Sequence, residues 1–299
     1  MIQVIETIVR KWPRTADVLD EISRLMAVVS DLEDEAFFEP VSLIDWPQEG
    51  RRGYASFTAF HFVGGLRHAS GSARARMTML EEAALNILAS TGVYPAAVLV
   101  RSHMEAAGLA AMALVDGTAA LEKQKIEDVA DVVLALQLGT SMRREAKKNE
   151  RVNECLLLSE TNPLRAGRLI EALDRYAAAG EEVGRYFRAS YAVLCEYAHA
   201  AMRVSRRFAR VLETHEEGWL IQYDRREVTD SDEVQMILQM LHRSMQVGHS
   251  CAEMLRNIEV VEVGEDSVGI VPPTEEVGKF VWTQLLQRDP DEPGARNGA

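Results

Sequence analysis

One stretch constrains the fold of this 299-residue chain more than any other: YPAAVLVRSHMEAAGLAAMALV, residues 94–115. Its length approaches that of a membrane span. Arg101, His103 and Glu105 stand near its middle, however, where each charge would be costly in lipid. The segment therefore reads as the central helix of a bundle whose polar groups meet partners. Arg101 and Glu105 are four apart, so they share one helix face and can pair. A buried pair of this kind needs further hydrogen bonds to offset its desolvation.

Composition agrees with a helical reading. Alanine and leucine are plentiful while aromatics make up only 6% of the chain, which favours helix over sheet. The formal net charge of −13 repels polyanions, so any nucleic-acid role must rest on a local basic surface. Cys155, Cys195 and Cys251 lie far apart with no CxxC, which argues against a disulfide framework and a structural zinc site. The first residues, MIQVIETIVRKWPRT, lack the pattern of a signal peptide. A cytoplasmic protein with no membrane association is expected, with no metal and no other cofactor.

Periodicity places helices at 2–11 and 15–32, broken by Pro13, followed by an irregular stretch to Tyr54. From Gly50 to Leu80 no acidic residue occurs, while Arg51, Arg52, Arg67, Arg74 and Arg76 all fall inside. Further helices are expected at 73–90, 95–115, 125–150, 163–178, 180–215 and 231–256, the last opened by a Ser-Asp-Glu cap. IEVVEVGEDSVGIVPP alternates around a Gly-Glu-Asp turn and reads as a short β-hairpin. An amphipathic helix follows, and DPDEPGARNGA reads as a disordered tail. The expected architecture is mainly α: a multi-helix bundle with a short C-terminal β-hairpin. It forms one domain over 1–288, with N-terminal helices and irregular segment to 60, a helical core over 61–256, and hairpin plus helix over 257–288.

The segment SYAVLCEYAHAAMRVSRR, residues 190–207, holds the most chemistry. On a helical wheel, Val193, Leu194, Tyr197, Ala201, Val204, Phe208 and Leu212 form an apolar face. Arg188, Tyr191, Cys195, His199, Met202 and Arg206 form a mixed one, with Glu196 at its edge. Tyr191, Glu196 and His199 are then the natural groups to meet Arg101 and Glu105 if the two helices pack together. Such a polar knot serves either helix register or catalysis, and the sequence leaves both open. Glu196-x-x-His199 matches one motif of di-iron bundles, but those need two such motifs, and no other histidine here has a glutamate three residues before it.

Arginine followed by histidine after four to six residues occurs twice, at Arg210/His215 and Arg243/His249. In a helix such a pair places a cation beside a general acid or base, which suits RNA cleavage. Arg203, Arg206, Arg207 and Arg210 form one basic run, and MRREAKKNER (142–151) a second. If these converge with the acid-free window, RNA or another anionic ligand is accommodated. There is no GKS or GKT, no GxSxG and no HExxH.

VLVRSHMEAAGLAAMAL resembles the Arg-Ser-x-x-Glu helix, and SYAVLCEYAHA the Tyr-x-x-Leu-Ser-x-x-x-His helix, of HEPN-like bacterial helical proteins. The matching positions are Arg101, Ser102, Glu105, Tyr191, Leu194 and His199; Cys195 replaces the serine, and Ala200 stands where proline follows the histidine. The resemblance covers about a third of the chain. It implies an α-helical bundle and an RNA-associated role, with metal-independent ribonucleases of defence or toxin–antitoxin systems among such proteins. The superfamily's own Arg-x(4–6)-His motif does not fall at His199.

Under this reading His199 or His215 is the acid/base, with Arg210, and Arg101, Glu105, Tyr191, Arg203 and Arg206 hold substrate. A homodimer formed through a helix face, and an antitoxin or other protein partner, are expected. The alternatives are a non-catalytic scaffold whose knot fixes helix register, and a small-anion-binding bundle anchored by Arg101.

Overall fold

The computed structural model describes residues 1–30, 51–122, 166–177, 185–199, 208–223, 230–262 and 268–271. The helices are α1 (Ile2–Lys11), α2 (Ala16–Ser30), α3 (Arg51–Ser90), α4 (Val93–Glu122), α5 (Ala166–Ala177), α6 (Tyr186–Ala198) and α7 (Ser231–Arg256). A 3-10 turn at Pro13–Thr15 joins α1 to α2. Two antiparallel hairpins complete the described fold: β1 (Ala209–His215) with β2 (Gly218–Tyr223), and β3 (Glu259–Glu262) with β4 (Val268–Val271). The mainly α class with a C-terminal hairpin is as expected. The expected helix over 125–150, the final amphipathic helix and the tail lie outside the described residues.

The chain divides into two compact units, each assembled from three segments: Met1–Glu33, Ala73–Gly108 and Leu169–His249 in one, and Asp34–Ser72, Leu109–Arg168 and Ser250–Ala299 in the other. In the first unit the core stripe of α3 runs through Ala73, Met77, Leu80, Ala84 and Leu88 at steps of three or four, the period of one helix face. Helix α4 offers it Ala96, Ala97, Val100, Met104, Ala106 and Ala107, and α7 offers Val234, Ile237, Leu238, Leu241 and Met245. Small residues let the backbones come close. A Cβ on Gly108 would lie 2.7 Å from Leu169 Cβ, and one on Gly248 would lie 2.6 Å from Ala107 Cβ. In the second unit, Ser70 Oγ donates to Ala252 O (2.6 Å) and Arg67 Nη2 donates to Ile258 O (2.6 Å).

Local signals set the boundaries. Helix α3 stops where Gly92 takes a positive φ of 143°, with Thr91 and Gly92 N–H both reaching Ile87 O. Asp174 of α5 caps α6, accepting from the backbone N–H of Phe187 (2.8 Å) and Arg188 (3.1 Å). Asp232 and Glu233 occupy the first turn of α7, where acidic groups meet the positive end of the helix dipole. The Val93–Gly117 stretch of α4 is long and apolar enough to cross a membrane, but most of it is buried inside the molecule.

Two expectations are corrected. Helix α3 begins at Arg51 rather than near 73 and runs through Gly64, Gly65 and Gly71. Within it Arg74 is buried and Arg67 is tied to Ile258 O, so neither belongs to a freely solvated basic face. The single helix expected over 180–215 ends at Ala198, because His199 turns to extended backbone (φ −108°, ψ 153°). Residues 209–215 are instead a strand. Gly218, with φ 152°, supplies the positive-φ residue beside the turn, and GWLIQY pairs back from Gly218↔His215 to Tyr223↔Ala209.

Candidate functional site

Of the three α6 groups expected to meet Arg101 and Glu105, Tyr191 does so. Helix α6, held at its start by Asp174, presents Tyr191 to α4. Arg101 Nε and Nη2 donate to Tyr191 Oη at 3.2 and 2.9 Å, and Tyr191 Oη donates to Glu105 Oε1 at 2.7 Å. Arg101 Nη2 lies 3.3 Å from Glu105 Oε1, and its guanidinium sits 5.2 Å from the Tyr191 ring centre. Burial and the bond to Glu105 push the Tyr191 hydroxyl up to about 12, so it stays a neutral donor. Burial opposes the charge on Arg101, yet the bond to Tyr191 holds it above its ordinary value. The knot is half-buried, and its one cation faces one carboxylate.

The remaining expected site residues do not join it among the described residues. Ser102 Oγ donates back to Val98 O at 3.2 Å, within its own helix. Leu194 is core. His199 closes α6, exposed, and its ring makes no hydrogen bond or ion pair among the described residues. Glu196 is exposed on α6 and Cys195 is half-buried. Arg210 and His215 lie on β1, where His215 Nε2 is 3.1 Å from Glu213 Oε2 in an exposed pair. Five residues span roughly 7.5 Å along a helix. On a strand their backbone positions stand roughly 16 Å apart, about twice the helical separation. Arg203 and Arg206 lie outside the described residues.

Sequence reading missed a second polar cluster, deep in the first unit. Glu81 of α3 sits on the core stripe between Met77 and Ala84, with 1% of its surface exposed. His103 of α4 (0% exposed) brings Nε2 to 2.8 Å from Glu81 Oε1, and His249 of α7 (6%) brings Nε2 to 2.7 Å from the same oxygen. His103 Nδ1 is 2.9 Å from Ser244 Oγ, which lies before His249 on α7. His249 Nδ1 is buried with no hydrogen-bond partner among the described residues. Burial pushes the Glu81 carboxyl upward, but hydrogen bonds and charge from His103 and His249 outweigh it and hold the group down at about 2. For His103 burial prevails over Glu81, so its imidazole is held below its ordinary value and stays neutral. The sequence signal was a carboxylate and two histidines on apolar helix faces, and only the fold brings together residues 22 and 168 positions apart.

Comparison with protein-family models, with curated proteins and with solved structures returned no match.

Proposed function

We propose that the chain is an HEPN-like, RNA-associated helical protein that holds RNA rather than cutting it through His199, His215 and Arg210. The observation that supports this reading is the Arg101–Tyr191–Glu105 knot. Its members come from the two segments that carry the resemblance, and their side chains meet although 86 and 90 positions separate them. The clause on cutting rests on the strand geometry of Arg210 and His215 and on the exposed position of His199, since a general acid and its phosphate-holding cation must reach one reacting group. RNA contact then falls to the basic runs 142–151 and 203–210, acting locally against the net charge of −13. In this reading the chain acts in the cytoplasm as a homodimer, with an antitoxin-like protein as a further partner.

A gel-shift titration with single-stranded RNA at low and moderate salt tests the proposal. The expected result is retention that weakens steeply with salt and falls at least tenfold when Arg143, Arg144, Lys147 and Lys148 are all changed to alanine. RNA left intact without added metal supports the non-cutting clause, and cleavage lost in His215→Ala overturns it. No retention even at low salt removes the RNA class. The non-catalytic scaffold is the second reading, favoured by one observation: Glu105 already matches the charge of Arg101, so the knot offers no spare cation to an anion.

A further inference from the structure

We infer that Glu81, His103 and His249 form a binding site for a single divalent first-row transition-metal ion in the core of the first unit. Two imidazoles and one carboxylate, each from a different helix, converge so that their ligand atoms all lie within 4.8 Å of one another. This donor set, with positions left over for other ligands, suits ions such as Zn2+ or Fe2+ rather than Mg2+ or Ca2+, which prefer all-oxygen surroundings.

The dimensions fit. Metal–nitrogen and metal–oxygen bonds of about 2.0–2.2 Å put neighbouring ligand atoms roughly 2.9–3.4 Å apart. The pairs through Glu81 Oε1 stand at 2.7 and 2.8 Å, so each need open by only a few tenths of an ångström, roughly, to admit the ion. Two points favour a ligand site over a purely structural cluster. The first is charge: among the three ligands, a buried carboxylate faces two imidazoles and no permanent cation, a deficit that a divalent ion reverses.

The second is the outer contact of His103. Ligation through Nε2 moves the ring proton to Nδ1, and the Ser244 hydroxyl at 2.9 Å, the donor while Nε2–H bonds Glu81, can turn to accept it. Such an outer hydrogen bond orients the ring of a metal-bound histidine. Close packing also carries His249 to its place: Gly248 leaves no room for a side chain against Met77 and Ala107. Three protein ligands fall short of the four that a closed structural zinc site takes, so the ion keeps at least one position for water or a small ligand.

The test is a titration of the chelator-treated full-length chain with Zn2+ and, as a spectroscopic probe, Co2+, followed by elemental analysis after gel filtration. The expected result is one ion per chain, with Co2+ visible bands of a nitrogen–oxygen site. Affinity is expected to fall at least a hundredfold in Glu81→Gln and in His249→Gln. Ser244→Ala keeps all three ligands and should bind about ten- to a hundredfold more weakly while remaining folded. His215→Ala, which removes an exposed histidine, should change nothing. The inference is overturned if the folded native chain takes up neither ion, or if binding is unchanged in Glu81→Gln and His249→Gln. Should those two variants not fold, unchanged affinity in Ser244→Ala together with loss in His215→Ala overturns it instead. RNA retention plays no part in any of these readouts, so the metal site and the RNA reading stand or fall separately.

Discussion

On the half-buried side of α4, Arg101 meets a carboxylate from its own helix and a tyrosine from α6, whereas two residues further on His103 meets a carboxylate from α3 in the dry core. The first cluster closes on itself: one cation, one anion and a hydroxyl that both donates and accepts. The second does not, because its ionised carboxylate shares one oxygen between two imidazoles, with no cation among the three groups. Desolvation explains why the difference matters. A half-exposed ion pair is screened by water and contributes modestly, while a fully buried charge must be met by other groups at short range. The contrast separates a cluster whose charges balance from one whose buried carboxylate meets no cation among its partners.

The largest expected effect comes from removing the buried charge. Glu81→Ala leaves two buried imidazole N–H groups without their acceptor, along with a cavity, and should cost roughly 3–5 kcal/mol in a denaturant titration. A loss below about 1 kcal/mol, the scale of one ordinary hydrogen bond, would erase the distinction between the two clusters. Next in size is Gly248→Ala. Its methyl would stand 2.5 Å from Met77 Sδ and 2.6 Å from Ala107 Cβ, and overpacking of this kind costs roughly 1–3 kcal/mol. Gly71→Ala, which meets open space on α3, should instead gain up to about 1 kcal/mol from helix propensity. If both glycines respond alike in thermal melts, close approach is not what seats His249.

The knot should respond less. Tyr191→Phe removes the hydroxyl that links Arg101 to Glu105 and is expected to cost about 1 kcal/mol, a figure tempered by partial exposure. A double-mutant cycle over Arg101→Met and Glu105→Gln should return a coupling below about 1 kcal/mol, as for other partly solvated pairs. A coupling of several kcal/mol would make the knot as demanding as the core cluster.

A third buried carboxyl sharpens the comparison by pH. Glu233 accepts from Tyr197 Oη, and burial pushes it up to about 7. A raised folded value means the native state holds its proton more tightly than the unfolded chain. The associated stability is therefore complete below the ordinary carboxyl value of 4.5 and drains away as pH rises toward 7. In Glu233→Gln the change in stability between about pH 4.5 and 7 should flatten, read from melting midpoints across that range. An unaltered slope would show that burial alone does not govern this carboxyl.

The legibility of these features in the sequence follows from how local each signal is. The spacing of Arg101 and Glu105 on one helix, with Tyr191 on the mixed face of another, was enough to expect the knot, because i and i+4 meet whatever the fold. Helices α1, α2 and α7 and the last hairpin were similarly local, being marked by Pro13, the Ser-Asp-Glu cap and the Gly-Glu-Asp turn. The strand over 209–215 was not, because no proline or glycine breaks the sequence between His199 and His215, and only Gly218 ahead of the β-prone run Trp219-Leu220-Ile221 pointed to a hairpin. The extension of α3 through Gly64, Gly65 and Gly71 also ran against local propensity. Glu81, His103 and His249 carry no shared motif at all. Their meeting depends on the packing of three helices, made close by Gly248 and the alanines of α4.

X-ray absorption at the zinc edge of the reconstituted protein tests most directly the claim that the core cluster is completed by a ligand. The account predicts a first shell of light atoms at about 2.0–2.2 Å, with the outer-ring scattering of two imidazoles, that is lost in Glu81→Gln. An all-oxygen or sulfur-containing shell, or one that persists unchanged in that variant, would contradict it.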